Sequence, residues 1–192
     1  MTTTFTVFCG PMFSAKTTSL LSVLDRFKYQ GKKIAVFKPK LDDRYSESDV
    51  STHGGWKMPA ICVKLGTDIL EHLANMEENP QVIAVDEAFM IPGVADVLVW
   101  LYRSGYSVVV SSLDLSATGK PFLEVEKMLP WATKVEKLSA VCTVCNKDAF
   151  YTYKKQTGGD EIEVGGNELY EPRCSRCHPS ILNRDGVYST RG

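Results

Sequence analysis

Short, almost wholly apolar stretches recur along this chain, and between them hydrophobic residues fall at a helical period. Phe5-Thr6-Val7-Phe8-Cys9, Lys33-Ile34-Ala35-Val36-Phe37 and Gln81-Val82-Ile83-Ala84-Val85 each read as a β-strand. So do the run from Tyr106 to Ser111, with Val108-Val109-Val110, and Lys134-Val135-Glu136-Lys137-Leu138. Leu20, Leu21, Leu24 and Phe27 mark a helix from Thr18 to Lys28, with Gly31 as its stop. Ile69, Leu70 and Leu73 mark a second helix over Asp68 to Met76; Val97, Leu98 and Leu101 mark a third over Val94 to Tyr102. Apolar strands alternating with helices predict an α/β fold: a parallel sheet with helices on both faces. Ligands of such sheets bind at the carboxyl ends of the strands.

Two stretches break the alternation. Leu41 to Trp56 is polar and rich in Asp, Ser and Gly, and reads as a long mobile loop. From Val141 onward paired cysteines, glycines and alternating polar residues take over, which places a boundary near Ser139. The expected division is an α/β domain over 1–139, a cysteine-bearing subdomain over 140–180, and a flexible tail over 181–192.

Composition narrows the function classes. Hydrophobic residues make up 44% and charged residues 23% of 192 residues, enough for a real core. A net charge of −1, from 22 basic and 23 acidic residues, argues against nucleic-acid or anionic-membrane partners. No 18-residue apolar run is present, and Met1-Thr2-Thr3-Thr4 leads into the first strand rather than a signal peptide, so a cytoplasmic location is expected. Six cysteines in that setting point to metal or buried thiols before disulfides.

The segment Gly10-Pro11-Met12-Phe13-Ser14-Ala15-Lys16-Thr17 nearly spells the phosphate-binding loop G-x-x-x-x-G-K-[ST], set between a strand and a helix. Backbone N–H groups of such a loop, with Thr18 opening the helix, surround phosphates where unpaired donors and the helix dipole favour anions. Lys16 would meet the β- and γ-phosphates, and the Thr17 hydroxyl would bind Mg²⁺. Ala15 stands where the pattern asks for glycine, at a cost of roughly 1 kcal/mol if the left-handed geometry is kept. The strand Val82-Ile83-Ala84-Val85 ends in Asp86-Glu87: the first carboxylate completes a Mg²⁺ shell, and the second is free to act as a base.

Cys142-Thr143-Val144-Cys145 and Cys174-Ser175-Arg176-Cys177 form a C-x₂-C…C-x₂-C set. Four thiolates in this spacing suit a closed, structural Zn²⁺ site. Disulfides or reduced thiols are the alternative, and His178 is a weak competing ligand. Cys9 and Cys62 read as core residues. Tyr153 to Gly159 and Ile162 to Gly166 read as a hairpin. Met12, Phe89, Phe122 and Tyr170 are candidates for a flat apolar slot. Arg44, in Asp42-Asp43-Arg44-Tyr45, is a candidate phosphate clamp.

Taken in order, these motifs resemble the small, zinc-containing thymidine kinases of animals, many bacteria, poxviruses and some bacteriophages. The resemblance runs from about Thr6 to Cys177. It rests on residues 10–17, Asp42-Asp43-Arg44-Tyr45-Ser46, Thr52-His53, Asp86-Glu87-Ala88-Phe89, Leu113-Asp114 with Lys120-Pro121-Phe122, Ala140-Val141-Cys142 through Cys145, Tyr151-Thr152, and Gly165-Gly166…Tyr170…Cys174 to Cys177. It implies a RecA-like core and a zinc-held subdomain whose long loop lassoes the base of a nucleoside. By position, Met12, Phe89, Leu113, Phe122, Thr152, Val164, Gly165 and Tyr170 would line the pocket. Glu87 would be the general base, and Asp42 and Arg44 would lie near the transferred phosphate. The family's Asp-Glu-Ala-Gln-Phe is here Asp86-Glu87-Ala88-Phe89-Met90, which leaves Phe89 or Met90 as the aromatic's counterpart. The family is usually a homotetramer, inhibited by thymidine triphosphate.

The expectation is transfer of the γ-phosphate of ATP to the 5′-hydroxyl of thymidine, with Zn²⁺ structural and Mg²⁺ brought by ATP. The rivals are a non-catalytic or attenuated nucleotide sensor of the same fold, motivated by Ala15, and a zinc-ribbon nucleic-acid-binding protein with an ATPase core. A kinase of deoxyuridine or another pyrimidine nucleoside is the third.

Overall fold

In the computed structural model, residues 3–40, 49–51, 55–156 and 165–182 are described. Six strands form one parallel sheet: β1 (Phe5–Cys9), β2 (Ile34–Pro39), β5 (Ile61–Val63), β6 (Val82–Val85), β7 (Ser107–Ser112) and β8 (Lys134–Lys137). Their order is β5-β2-β6-β7-β1-β8, and every neighbouring pair is parallel. All five strands expected of this sheet are present, and β5 is an addition. One strand, β7, separates β1 from β6, so the two ends that carry the charged motifs open side by side onto one edge, in keeping with a RecA-like core.

The two-residue period of the strands sorts their side chains into two cores. Phe5, Val7, Phe37, Ile83, Val85, Val108 and Val110 point to one face. There they meet Ile69 and Leu73 of α2 (Gly66–Ala74), Leu98 and Leu101 of α3 (Val94–Arg103), and Met128 of α4 (Leu123–Met128). The intervening residues Phe8, Val36, Val82, Ala84 and Val109 meet Leu20, Leu21 and Leu24 of α1 (Lys16–Tyr29) on the other face. Strands buried on both sides explain why the sequence shows apolar runs rather than alternation. Among the described residues, no helix is long and apolar enough to cross a membrane.

Part of the expected long loop is ordered strand. β3 (Asp49–Ser51) pairs antiparallel with β4 (Lys57–Pro59), and Val50 is buried against the α1 face of the sheet. Asp42, Arg44 and Thr52-His53 lie outside the described residues. After β8 come two small antiparallel ribbons, β9 (Ala140–Val141) with β10 (Asp148–Ala149), and β11 (Tyr151–Lys154) with β12 (Tyr170–Arg173). The return strand described is thus Tyr170–Arg173, while Val164 and the rest of 157–164 lie outside the described residues.

Helix α3 starts after Gly93 without a side-chain cap of its own. Glu124 of α4 supplies one from a distance: its two carboxylate oxygens accept the N–H groups of Gly93 and Ala95, each at 2.9 Å. A carboxylate at a helix N-terminus satisfies orphan donors and complements the dipole. Glu124→Ala is expected to cost about 1–2 kcal/mol and to lower the unfolding midpoint in a thermal or urea titration.

Candidate active site and cysteine cluster

The loop between β1 and α1 turns back on itself through three positive φ angles: 139° at Gly10, 65° at Phe13 and 60° at Ala15. Gly10 is required there, because a Cβ at that position would lie 2.4 Å from the Leu138 carbonyl oxygen. Ala15 adopts the left-handed conformation that the pattern reserves for glycine, so the loop keeps its shape with the substitution in place. The Pro11 carbonyl accepts the Ser14 hydroxyl at 2.8 Å and the Lys16 ammonium at 2.6 Å. Lys16 is 5% exposed. Burial pushes its ammonium below the ordinary lysine range, and Glu87, Asp86 and Asp114 oppose that shift.

Asp86 and Glu87 follow β6 directly. The Thr17 hydroxyl, in the first turn of α1, donates to the Asp86 carboxylate at 3.2 and 3.3 Å. Ser111 of β7, fully buried, donates to the same carboxylate from the other side. Burial raises the Asp86 pKa, while the Ser111 and Thr17 hydroxyls and Lys16 favour its anion. Glu87 sits at φ 52°, another left-handed residue that is not glycine. Loss of hydration, then the neighbouring Asp86 charge, push its carboxyl up to about 7 against the pull of Lys16. Hydroxyl donors favour the Asp86 anion against its burial, and Glu87, raised to about 7, is the member of the pair poised to exchange a proton near neutral pH.

Met12, Phe13, Ser14, Ala15, Lys16, Thr17, Thr18, Asp86 and Glu87 line one cavity of about 260 Å³, together with Ser51 of β3. Sequence reading named all but Ser51. It also missed Ser111 and Ser112, which close β7. The Ser112 hydroxyl accepts the Phe89 N–H at 3.0 Å and donates to the Leu113 carbonyl at 3.0 Å. The Phe122 N–H donates to the Asp114 carbonyl, and the Phe89 and Phe122 rings lie 4.6 Å apart. The Phe89 and Phe122 rings therefore pack together, and the Ser112 hydroxyl joins the Phe89 N–H to the Leu113 carbonyl. Met12 is tied to Thr152 by a hydrogen bond from its N–H to the threonine hydroxyl at 3.1 Å. Tyr170 is buried in β12 and donates its N–H to Gly166, which follows Gly165.

The four knuckle cysteines converge. The Sγ atoms of Cys142, Cys145, Cys174 and Cys177 lie within 4.8 Å of one another, and those of Cys145 and Cys174 are 3.6 Å apart. A disulfide needs about 2.05 Å, so the thiols are free. Tetrahedral Zn²⁺ with Zn–S bonds of about 2.3 Å sets sulfurs roughly 3.8 Å apart, which this set fits. Burial opposes ionisation of Cys142, but backbone N–H groups of Cys174, Val144 and Cys145 outweigh it and bring the thiol down to about 6. His178 is not a fifth candidate, because its Nε2 lies 3.2 Å from the Thr152 carbonyl and its Nδ1 3.2 Å from the Ser180 N–H. Of the two remaining cysteines, Cys9 is buried in the sheet, with burial raising its thiol to about 11, and Cys62 is half-buried.

The ribbons around the cysteines contribute only Ala140, Cys142, Ala149 and Cys174 to a core, with Cys145 and Cys177 packed against it. A segment with so small a core would depend on an ion held by the four thiols. Removing Zn²⁺ with a chelator is expected to expose amides of 140–178 to exchange while the parallel sheet stays protected, as hydrogen-exchange mass spectrometry would show.

A family model described as thymidine kinase matches residues 3–178. The match takes in the phosphate-type loop, the paired carboxylates, the packed Phe89 and Phe122 rings and both cysteine knuckles. The chain belongs to the thymidine kinase family.

Proposed function

We propose that this chain transfers the γ-phosphate of ATP to the 5′-hydroxyl of thymidine, giving thymidine monophosphate. One observation carries the reading: a buried lysine, a hydroxyl-anchored carboxylate and a carboxyl raised to about 7 line the same cavity at the carboxyl edge of the sheet. Phosphoryl transfer asks for little covalent participation from the protein, and for charge placed where the transition state develops it.

In this reading Lys16 exchanges the Pro11 carbonyl for phosphate oxygens, and the loop N–H groups from Gly10 to Thr18 cradle the rest of the chain of phosphates. Mg²⁺ arriving with the nucleotide would neutralise phosphate charge, and Thr17 and Asp86, already hydrogen-bonded to each other, would hold it. Glu87 accepts the proton of the 5′-hydroxyl as that oxygen bonds to the γ-phosphorus and the bond to the β-phosphate oxygen breaks. A base near 7 is matched to this task at neutral pH. Phe89, Leu113 and Phe122 would pack on the thymine ring, with Met12, Thr152, Val164, Gly165 and Tyr170 completing the pocket. Asp42 and Arg44 would approach the transferred phosphate. The ordered left-handed Ala15 favours catalysis over the sensor reading, because the loop geometry survives the missing glycine.

The direct test is phosphorylation of thymidine by the zinc-loaded protein with Mg-ATP, set against deoxycytidine, deoxyadenosine and deoxyguanosine. Thymidine-selective turnover is expected, and Ala15→Gly should change it by less than about 10-fold. Nucleotide binding without turnover, restored by Ala15→Gly, would turn the reading into the sensor.

Glu87→Gln separates the base from the scaffold. Turnover is expected to fall by about 10²–10⁴ with ATP binding retained, and wild-type kcat should rise with pH through about 7. Stability moves the other way. The folded carboxyl titrates above its ordinary 4.5, so its contribution is full below that value and is lost as pH rises towards 7. Glu87→Gln should therefore match the wild type near pH 4 and exceed it near pH 8, by up to about 3 kcal/mol, in urea titrations at the two pH values.

A further inference from the structure

Outside the catalytic cavity, one buried polar group has a role that the phosphoryl-transfer reading does not use. His178 directly follows the last cysteine of the cluster and is 1% exposed. The edges of Tyr151 and Tyr153 enclose its ring, with centroids at 6.2 and 5.7 Å. The Ser180 N–H can only donate, so Nδ1 accepts it and Nε2 carries the proton. Nε2 then donates to the Thr152 carbonyl.

The Thr152 carbonyl is open to His178 because of strand register. The Lys155 N–H donates to the Leu169 carbonyl, so pairs along β11 and β12 alternate from there between sharing and not sharing ladder hydrogen bonds. Thr152 faces Pro172, and this falls on a pair that shares none. The Pro172 carbonyl accordingly turns outward, where it accepts the Thr143 N–H from the first knuckle. The Thr152 carbonyl turns outward on the opposite edge, buried and in need of a donor. The hydroxyl of the same threonine accepts the Met12 N–H of the phosphate-type loop.

We propose that His178 is a positioning residue: it fixes Thr152 from the cysteine knuckle, and through the Thr152 hydroxyl it sets the conformation of the loop at Met12. Two hydrogen bonds thus join the metal-binding knuckle to a loop 140 positions away in sequence from Thr152. The knuckle does more than order its own ribbon; through His178 it helps hold the geometry of residues 10–17. The inference deepens the kinase reading, and it rests on that reading only where the loop is said to hold phosphate.

The test uses the full chain, zinc-loaded, as wild type, His178→Gln, His178→Phe and Thr152→Val. Zinc content, amide exchange of the segment covering residues 10–17, and kcat/KM for ATP are measured on each. With zinc retained, His178→Phe and Thr152→Val are expected to speed exchange in that segment roughly 10-fold, and kcat/KM for ATP should fall by a similar factor. His178→Gln keeps an N–H donor and should restore both towards wild type, which a merely space-filling histidine would not require. Unchanged exchange over residues 10–17 in both His178→Phe and Thr152→Val overturns the proposal. If His178→Phe loses zinc or fails to fold, Thr152→Val decides alone, since it keeps the β-branched shape and leaves the knuckle untouched. Faster exchange with ATP kinetics unaltered supports the hydrogen-bonded link and counts instead against residues 10–17 as the phosphate site.

Discussion

Everything at the working edge of this protein depends on three ionisable side chains sharing one desolvated space. Lys16, Asp86 and Glu87 cannot all be charged there without compensation: one ammonium faces two carboxylates, and burial opposes every charge. The fold resolves this by giving Asp86 two hydroxyl donors, from Thr17 and Ser111. Burial still raises both carboxyls, Glu87 to about 7. That arrangement is costly for stability and useful for chemistry, because a carboxylate close to neutrality in its proton affinity can take a proton and return it.

The strand order makes this sharing possible. The loop that carries Lys16 follows β1, and the carboxylates follow β6, with β7 between them. Two consecutive serines end β7 and point to opposite faces of the sheet. Ser111 reaches Asp86 on one side, while Ser112 binds the Phe89 backbone and the Leu113 carbonyl on the other. A single strand end therefore sets both the charged group and the aromatic cluster. The hydroxyls are small, uncharged and fully buried, so nothing in composition or spacing marks them.

That contrast shows what the sequence could reveal. Central strands were legible because burial on both faces turns them into unbroken apolar runs, and α1, α2 and α3 because each keeps one apolar stripe. Ile61-Cys62-Val63 is too short to establish a period, and α4 carries only Val125 and Met128 into the core, so neither stood out. Asp49–Ser51 sits in a polar stretch and is a strand only because Val50 finds the α1 face. The charged residues of the cavity were readable because their chemistry fixes both residue type and place after a strand. Ser51 and the donors from β7 were not, since many residue types satisfy the local backbone there. The cysteine spacing announced the cluster, but it could not tell a ligand from His178, whose ring nitrogens are both taken up by backbone groups.

Four non-glycine residues among those described have positive φ: Phe13, Ala15, Glu87 and Asn146. Three line the cavity and the fourth closes the first cysteine knuckle, where its N–H donates to the Cys142 carbonyl. Strained backbone persists only where surrounding contacts over-determine it, and here it concentrates on the cavity and the cysteine cluster. Ala15 shows how such strain is tolerated. Alanine costs roughly 1–2 kcal/mol in the left-handed region, but glycine at the same place would surrender more chain entropy on folding, by about 0.5–1 kcal/mol. The second effect offsets about half of the first. The requirement on residue 15 is therefore a conformation rather than a residue type, and a loop held by the Gly10 approach to Leu138 and by the Pro11 carbonyl can impose that conformation on alanine.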